Sequence, residues 1–284
     1  MSDQDVLLID NPAPGVRRLT MNRPEKRNAL NNPLRKAIFD AVTDSDRDPE
    51  VRVTILRGAG PSFCAGYDLS ANNAVDQPYY TAQGIWPWSR QVVEGWFRMW
   101  DLAKPVIAQV HGYCLAGGSE LATACDLVYV AEDAKIGYPP TRLMSPPDMQ
   151  FHPWMMGMRR AMEMYLTGDA ITGIEAAQDG FANRAFPADR LDEEVVKVAI
   201  RVAMTPSDLQ QINKRSVHRA MEAMGMRDGL RAGTELQALA FCTESSLEYR
   251  KQFKRDGKSV SGLLSQRDAP FGDYRETGKT AADD

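Results

Sequence analysis

The segment HGYCLAGGSELATACD, residues 111–126, restricts this chain more than any other. It follows Pro105-Val106-Ile107-Ala108-Gln109-Val110, an apolar run that reads as a buried strand. A strand that ends in small residues and opens a helix at Gly117-Gly118 leaves backbone N–H groups without helical acceptors at the helix N-terminus. Those groups, with the positive end of the helix dipole, suit an oxyanion, and Glu120 in the first turn sets a carboxylate beside it. Taken alone, such a glutamate also has a plain structural reading, because acidic residues favour any first helical turn.

Strands and helices alternate through the first half of the chain. Val16-Arg17-Arg18-Leu19-Thr20-Met21 has strand character and ends in the turn Asn22-Arg23-Pro24. Pro33 opens a helix to about Asp44, with Leu34, Ile38, Ala41 and Val42 on one face. Val51-Arg52-Val53-Thr54-Ile55-Leu56 alternates and is β-branched, a second strand running into Gly58-Ala59-Gly60-Pro61. Residues 70–90, polar and then aromatic without a period, read as a mobile loop leading to a helix over about 89–102. Further strands are expected at 126–131 and 134–137, then helices at 158–166, 173–180, 192–204, 208–223 and 226–253. From Gly262 onward the Gly, Pro, Asp and Lys content implies a tail that needs a partner surface to become ordered.

Composition excludes several functions. A chain of 284 residues with 43% hydrophobic content buries a full core and an appendage. A net charge of −4 gives no reason to expect nucleic acid or an anionic membrane as partner. No apolar stretch is long enough to span a bilayer, and MSDQDVLLID lacks the features of an export signal, so a cytoplasmic protein is expected. Cysteines 64, 114, 125 and 242 show no CxxC spacing and predict buried reduced thiols, not disulfides or a zinc site.

Four segments together carry a resemblance. MNRPEKRNAL (21–30), SFCAGYDL (62–69), HGYCLAGGSELATACD (111–126) and MEMYLTGDAITGIEAAQDGFANRAFP (162–187) resemble the crotonase family, the enoyl-CoA hydratase/isomerase superfamily, in order across about residues 6–255. The resemblance implies an α/β spiral of repeated strand-strand-helix units over residues 1–195, followed at 196–284 by a helical C-terminal oligomerisation region. It also implies a homotrimer or dimer of trimers, an acyl-CoA substrate, and no metal or cofactor beyond the CoA of that substrate. Acyl-thioester chemistry requires negative charge on the carbonyl oxygen to be stabilised, and two converging backbone N–H groups do so without reorganisation. By resemblance these come from Tyr67 and Gly117, with small neighbours that let the backbone approach the carbonyl. The CoA-binding set implied is Lys26, Asn28, Ala29 and Leu30 with Ala65, Gly66, Asp68, Leu69 and Gly118. Lys26 or Arg27 would meet a phosphate, and Arg267 and Phe271 would contribute from a neighbouring subunit's tail.

The chain departs from the family pattern at one catalytic position. Hydratases of this family place a second glutamate where this chain has Pro140, in Ile136-Gly137-Tyr138-Pro139-Pro140. Eight residues on, Asp148 resembles by register the catalytic aspartate of dienoyl-CoA isomerases and of 4-chlorobenzoyl-CoA dehalogenases, although after Pro146-Pro147 it also reads as a helix cap. The expectation is therefore an enoyl-CoA hydratase in which Glu120 activates water for C3 and Asp148 or solvent delivers a proton to C2. The alternatives are an enoyl- or dienoyl-CoA isomerase, or an acyl-CoA hydrolase or dehalogenase using Asp148. A non-catalytic acyl-CoA-binding subunit is disfavoured by the retention of Glu120.

Other residues carry less. Seven aromatic residues fall within positions 79–100, and Tyr79, Trp86 and Trp88 are expected to wall a bulky acyl group. His152 reads as a satisfied structural histidine, His111 as a structural hydrogen-bonder, and the methionines at 155–164 as helix core. The hydroxyls of Tyr67 and Tyr113 lie near substrate in this reading, with packing the simpler role. Arg142 is left open between substrate and a neighbouring subunit.

Overall fold

The apolar runs become the inner strands of a mostly parallel sheet. In the computed structural model, which describes residues 5–71, 87–255 and 260–272, strand β2 (Val16–Met21) pairs antiparallel with β1 (Leu7–Ala13) and parallel with β3 (Val53–Gly58). β4 (Val106–Val110), β6 (Leu127–Ala131) and β9 (Arg184–Phe186) continue it, in the order β1-β2-β3-β4-β6-β9. Every residue of β4 is buried, as a strand covered on both faces requires. A second sheet of β5 (Tyr113–Leu115), β7 (Lys135–Gly137) and β8 (Ile171–Thr172) lies beside it. Each turn of the chain gives one strand to each sheet and then a helix: β4, β5, α3 (Gly117–Thr123), then β6, β7, α4 (His152–Thr167). This is the spiral of strand-strand-helix units that the sequence implied.

Helix α1 (Asn32–Arg47) starts where the sequence said, with the Asn31 side chain accepting from Leu34 N at 3.0 Å. It buries Leu34, Ile38 and Val42, and Phe39 packs at 5.3 Å on Trp96 of α2 (Pro87–Trp100). Helices α5 (Gly173–Asp179), α6 (Leu191–Ala203), α7 (Ser207–Ala223), α8 (Met226–Ala240), α9 (Glu244–Arg255) and α10 (Val260–Asp268) follow. α6 runs across residue 195 and packs on β2, β3, β4 and β6. α7 is clamped to the sheet by Asp126, which accepts from Lys214 Nζ at 2.9 Å, His218 Nε2 at 3.2 Å and Val106 N at 2.8 Å.

Several expectations need correction. The helix expected at 158–166 begins at His152 and carries a kink at Gly157. The long helix expected over 226–253 is two, because the chain turns at Phe241-Cys242-Thr243. That turn exposes Cys242, whereas the other three thiols are buried as expected. Strands β1 and β5 had no clear signal: β1 is a largely exposed edge containing Pro12, and β5 has three residues. Residues 262–271 are not a loose tail, since α10 docks on its own chain. Arg142 donates to Thr167 O at 2.9 Å and pairs with Asp169 and Asp268 at 2.8 and 3.0 Å, and its guanidinium lies 4.2 Å from the Phe271 ring centroid. Arg267 pairs with Asp268 of the same chain. The loop expected at 70–90 falls largely outside the described residues, as do Tyr79, Trp86 and the Trp88 side chain. No helix among the described residues is long and apolar enough to cross a membrane.

Candidate active site

Two backbone segments meet at the ends of neighbouring parallel strands. After β3 the chain pairs with β5 through Cys64 N to Tyr113 O and Leu115 N to Cys64 O, both 3.0 Å. A Cβ on Gly118 would lie 2.3 Å from Cys64 O, so only glycine allows this approach. Gly66, at φ 105°, brings the place a Cβ would take to 3.5 Å from Gly117 N. The backbones carrying the Tyr67 and Gly117 N–H groups are therefore in contact. Gly117 opens α3, so its N–H has no helical acceptor. Before it stands Ala116 at φ 51°, ψ −126°, held by its N–H to Gly137 O at 2.9 Å and by Ser119 Oγ donating to its carbonyl at 2.8 Å.

Glu120 is wholly buried one turn into α3. Its Oε2 accepts from the Tyr67 hydroxyl at 2.9 Å, and its Oε1 from Asp148 N at 2.8 Å and Met149 N at 3.4 Å. The Tyr138 hydroxyl also donates to it. Burial pushes its pKa up to about 7 even though these four donors favour the charged form. The carboxylate thus changes charge near neutral pH, as a general base requires. Asp148 is buried beside it and meets Glu120 through its backbone N–H.

Sequence reasoning missed three neighbours. Tyr138, two residues before Pro140, is a buried phenol that bonds Glu120. Arg35 on α1 is 2% exposed, and its charge is within electrostatic reach of Tyr67, Asp148 and Glu120. An arginine one turn before Phe39 on a buried helix face was the available signal. Tyr165 completes a network behind α3. Ser119 spends its one proton on Ala116 O, so His152 Nε2 donates to Ser119 Oγ at 3.2 Å and its Nδ1 accepts from the Tyr165 hydroxyl at 3.0 Å. Burial lowers the His152 pKa to about 4, so it is neutral here, the satisfied histidine expected. His111 bonds Gly60 O at 2.9 Å.

The two segments expected to bind CoA lie side by side. Leu30 N donates to Gly66 O at 2.7 Å, Asp68 N to Leu30 O at 2.9 Å, and Ala65 N to Arg27 O at 3.0 Å. The Asn28 side chain is spent on the chain itself, accepting from Arg23 N and donating to Ala59 O and Ser62 O. Asp68 pairs with Arg23 at 2.8 Å. Lys26 and Leu69 are exposed, Ala29 is half-buried, and Arg27 lies 4.8 Å from the Tyr113 ring centroid.

A family model described as enoyl-CoA hydratase/isomerase matches residues 12–271. The chain is 32% identical to a protein of Mycobacterium bovis named "Probable enoyl-CoA hydratase echA8", covering 87% of this chain and 94% of that one. It is 31% identical to the mitochondrial enoyl-CoA hydratase of Pongo abelii, covering 90% and 83%. A solved enoyl-CoA hydratase/isomerase from Xanthobacter autotrophicus Py2 superposes with a TM-score of 0.84 at 32% identity, over 94% of this chain and 98% of that one.

Proposed function

The chain belongs to the enoyl-CoA hydratase/isomerase family, the crotonases, and we propose that within it this enzyme adds water to an enoyl-CoA thioester. The observation that carries the reading is a buried carboxylate, Glu120, one helical turn from the Gly117 N–H and bonded to the residue that supplies the second N–H, Tyr67. The thioester oxygen sits between the Tyr67 and Gly117 N–H groups, and the dipole of α3 adds to them. Ionised Glu120 takes a proton from water as its oxygen attacks C3. At 3.4 Å the Met149 contact is longer than those from Tyr67 and Asp148, and it is the one water replaces. The C2 proton comes from an acidic group at the same carboxylate.

CoA lies along residues 26–30 and 65–69, with Lys26, Asn28, Ala29, Leu30, Ala65, Gly66, Asp68 and Leu69 contributing mainly backbone and packing, and Gly118 letting α3 approach the second segment at Cys64. The aromatic-rich stretch 79–100, with Trp86 and Trp88, supports a bulky acyl group. Self-association as a trimer or dimer of trimers is supported by large apolar side chains exposed on α4 and α7, among them Met158, Leu166 and Ile212. Buried free thiols fit a reducing, cytoplasmic setting.

The test is a panel of enoyl-CoA thioesters, including aromatic and cyclic ones, read by product mass. Gain of one water is expected, with Glu120→Gln slower by at least ~100-fold. An unchanged rate in that variant overturns the assignment. Unchanged mass with a moved double bond, or release of free CoA, would favour the second reading, in which the buried Asp148 is the working carboxylate.

A further inference from the structure

We propose that the Tyr67 hydroxyl is the group that protonates C2, with Glu120 resupplying the proton; this rests on the hydration reading above. Adding water across a double bond needs a base for the water and an acid for the carbon. The titratable and charged groups facing Glu120 among the described residues are Tyr67, Cys64, Arg35, Tyr138, Asp148 and Tyr165. Tyr138 is 2% exposed, Tyr165 is turned toward His152, and the Cys64 thiol lies against Gly66. Arg35 is a buried cation, and Asp148 reaches Glu120 with its backbone.

Tyr67 differs from all of these. It is half-buried, as Tyr165 is, but its ring rests on Gly117, at 2.5 Å from where a Cβ there would stand. Its hydroxyl is 2.9 Å from Glu120 Oε2. The phenol therefore stands between the base and the backbone groups that hold the thioester oxygen.

The protons balance. Glu120 removes one from water as the O–C3 bond forms and the C2=C3 electrons move onto the thioester as an enolate. The enolate collapses by taking the Tyr67 O–H proton onto C2. The phenolate then recovers a proton from the Glu120 carboxylic acid across the bond that already joins them. The substrate has gained one water and both side chains are restored.

The experiment compares Tyr67→Phe with Tyr138→Phe and Asp148→Asn by hydration kinetics across pH and by deuterium uptake at C2 of a saturated acyl-CoA in D2O. Tyr67→Phe keeps the ring and the main-chain N–H, so its melting temperature is expected to stay near that of the wild type. Its kcat on the alkaline plateau and its C2 exchange are expected to fall by ~100-fold or more, with KM changed by less than ~3-fold. Tyr138→Phe moves the pH profile and loses less than ~10-fold in plateau kcat. The proposal is overturned if Tyr67→Phe keeps its plateau kcat, if both phenylalanine variants fall together, or if Asp148→Asn alone abolishes exchange. Failure of the wild type to hydrate any enoyl-CoA overturns the underlying reading instead.

Discussion

Tyr138→Phe removes one of the donors that favour ionised Glu120 and leaves the apolar packing of the ring. Burial alone raises this carboxyl, and with its donors in place the pKa stands at about 7 against 4.5 for an unperturbed glutamate. A hydrogen bond to a charged group is worth roughly 1.5–3 kcal/mol, and one pKa unit is about 1.4 kcal/mol, so losing this bond raises Glu120 by ~1–2 units. Because Glu120, as the proposed base, works ionised, wild-type kcat/KM should rise about tenfold per pH unit up to about 7 and then level. In the variant the break moves to pH ~8–9, so the rate at pH 7 falls by ~5–50-fold while the alkaline plateau is nearly kept.

Stability follows the same proton. A folded pKa above the unfolded one means that the native state binds more protons between pH 4.5 and about 7. The contribution is therefore full below 4.5 and is lost as pH rises through about 7, by about 3 kcal/mol, a window that Tyr138→Phe extends upward. The assay is the loss of conjugated-thioester absorbance from pH 5 to 10, with urea unfolding at matched pH. A wild-type break near the ordinary glutamate value, or a variant break that stays put or moves down, refutes the reasoning.

Three other perturbations follow from the structure. Arg35→Met removes the buried cation facing Glu120 and should also shift the activity limb to higher pH, with Arg35→Lys restoring part of it in the same assay. Asp126→Ala leaves the buried Lys214 without its counter-charge and should cost ~3–5 kcal/mol in urea unfolding at pH 7. Burial raises the Asp126 pKa, but Lys214, His218 and the Val106 N–H hold it below the usual value, so the stability it gives is present above the ordinary aspartate pKa and lost on acidification. Gly118→Ala drives a methyl to 2.3 Å from Cys64 O, so calorimetry should show a loss of about 1–3 kcal/mol and assays a loss of hydration.

Residues whose role is fixed by local chain geometry were legible in the sequence. Gly117, Gly118 and Glu120 announce a strand, a close approach and a helix start within a few positions, and that pattern led to the same arrangement in space. Tyr138 and Arg35 were not legible because their roles depend on what lies across the fold. Tyr138 stands two residues before the position that lacks the family's glutamate, and Arg35 is next to Lys36 on an amphipathic helix, where nothing in the sequence separates a buried cation from an exposed one. For the Tyr67 hydroxyl packing is the simpler expectation, since nothing within the segment 62–69 points to Glu120, 53 residues away. Conversely, the break between α8 and α9 lacks a proline or glycine, so periodicity ran straight through it.

The backbone at Ala116 places stability and activity in opposition. A non-glycine residue at φ 51°, ψ −126° is held there at a cost of roughly 1–3 kcal/mol, and the bonds from Ser119 and to Gly137 keep it from relaxing. Glycine at 116 would release that strain and make the fold more robust, while leaving the amide of Gly117 free to wander. Selection for heat resistance and selection for turnover thus pull on the same torsion angle. A thermostabilised descendant of this chain should be inspected first at residue 116, because the easiest stability to gain there is the kind that loosens the proposed oxyanion site.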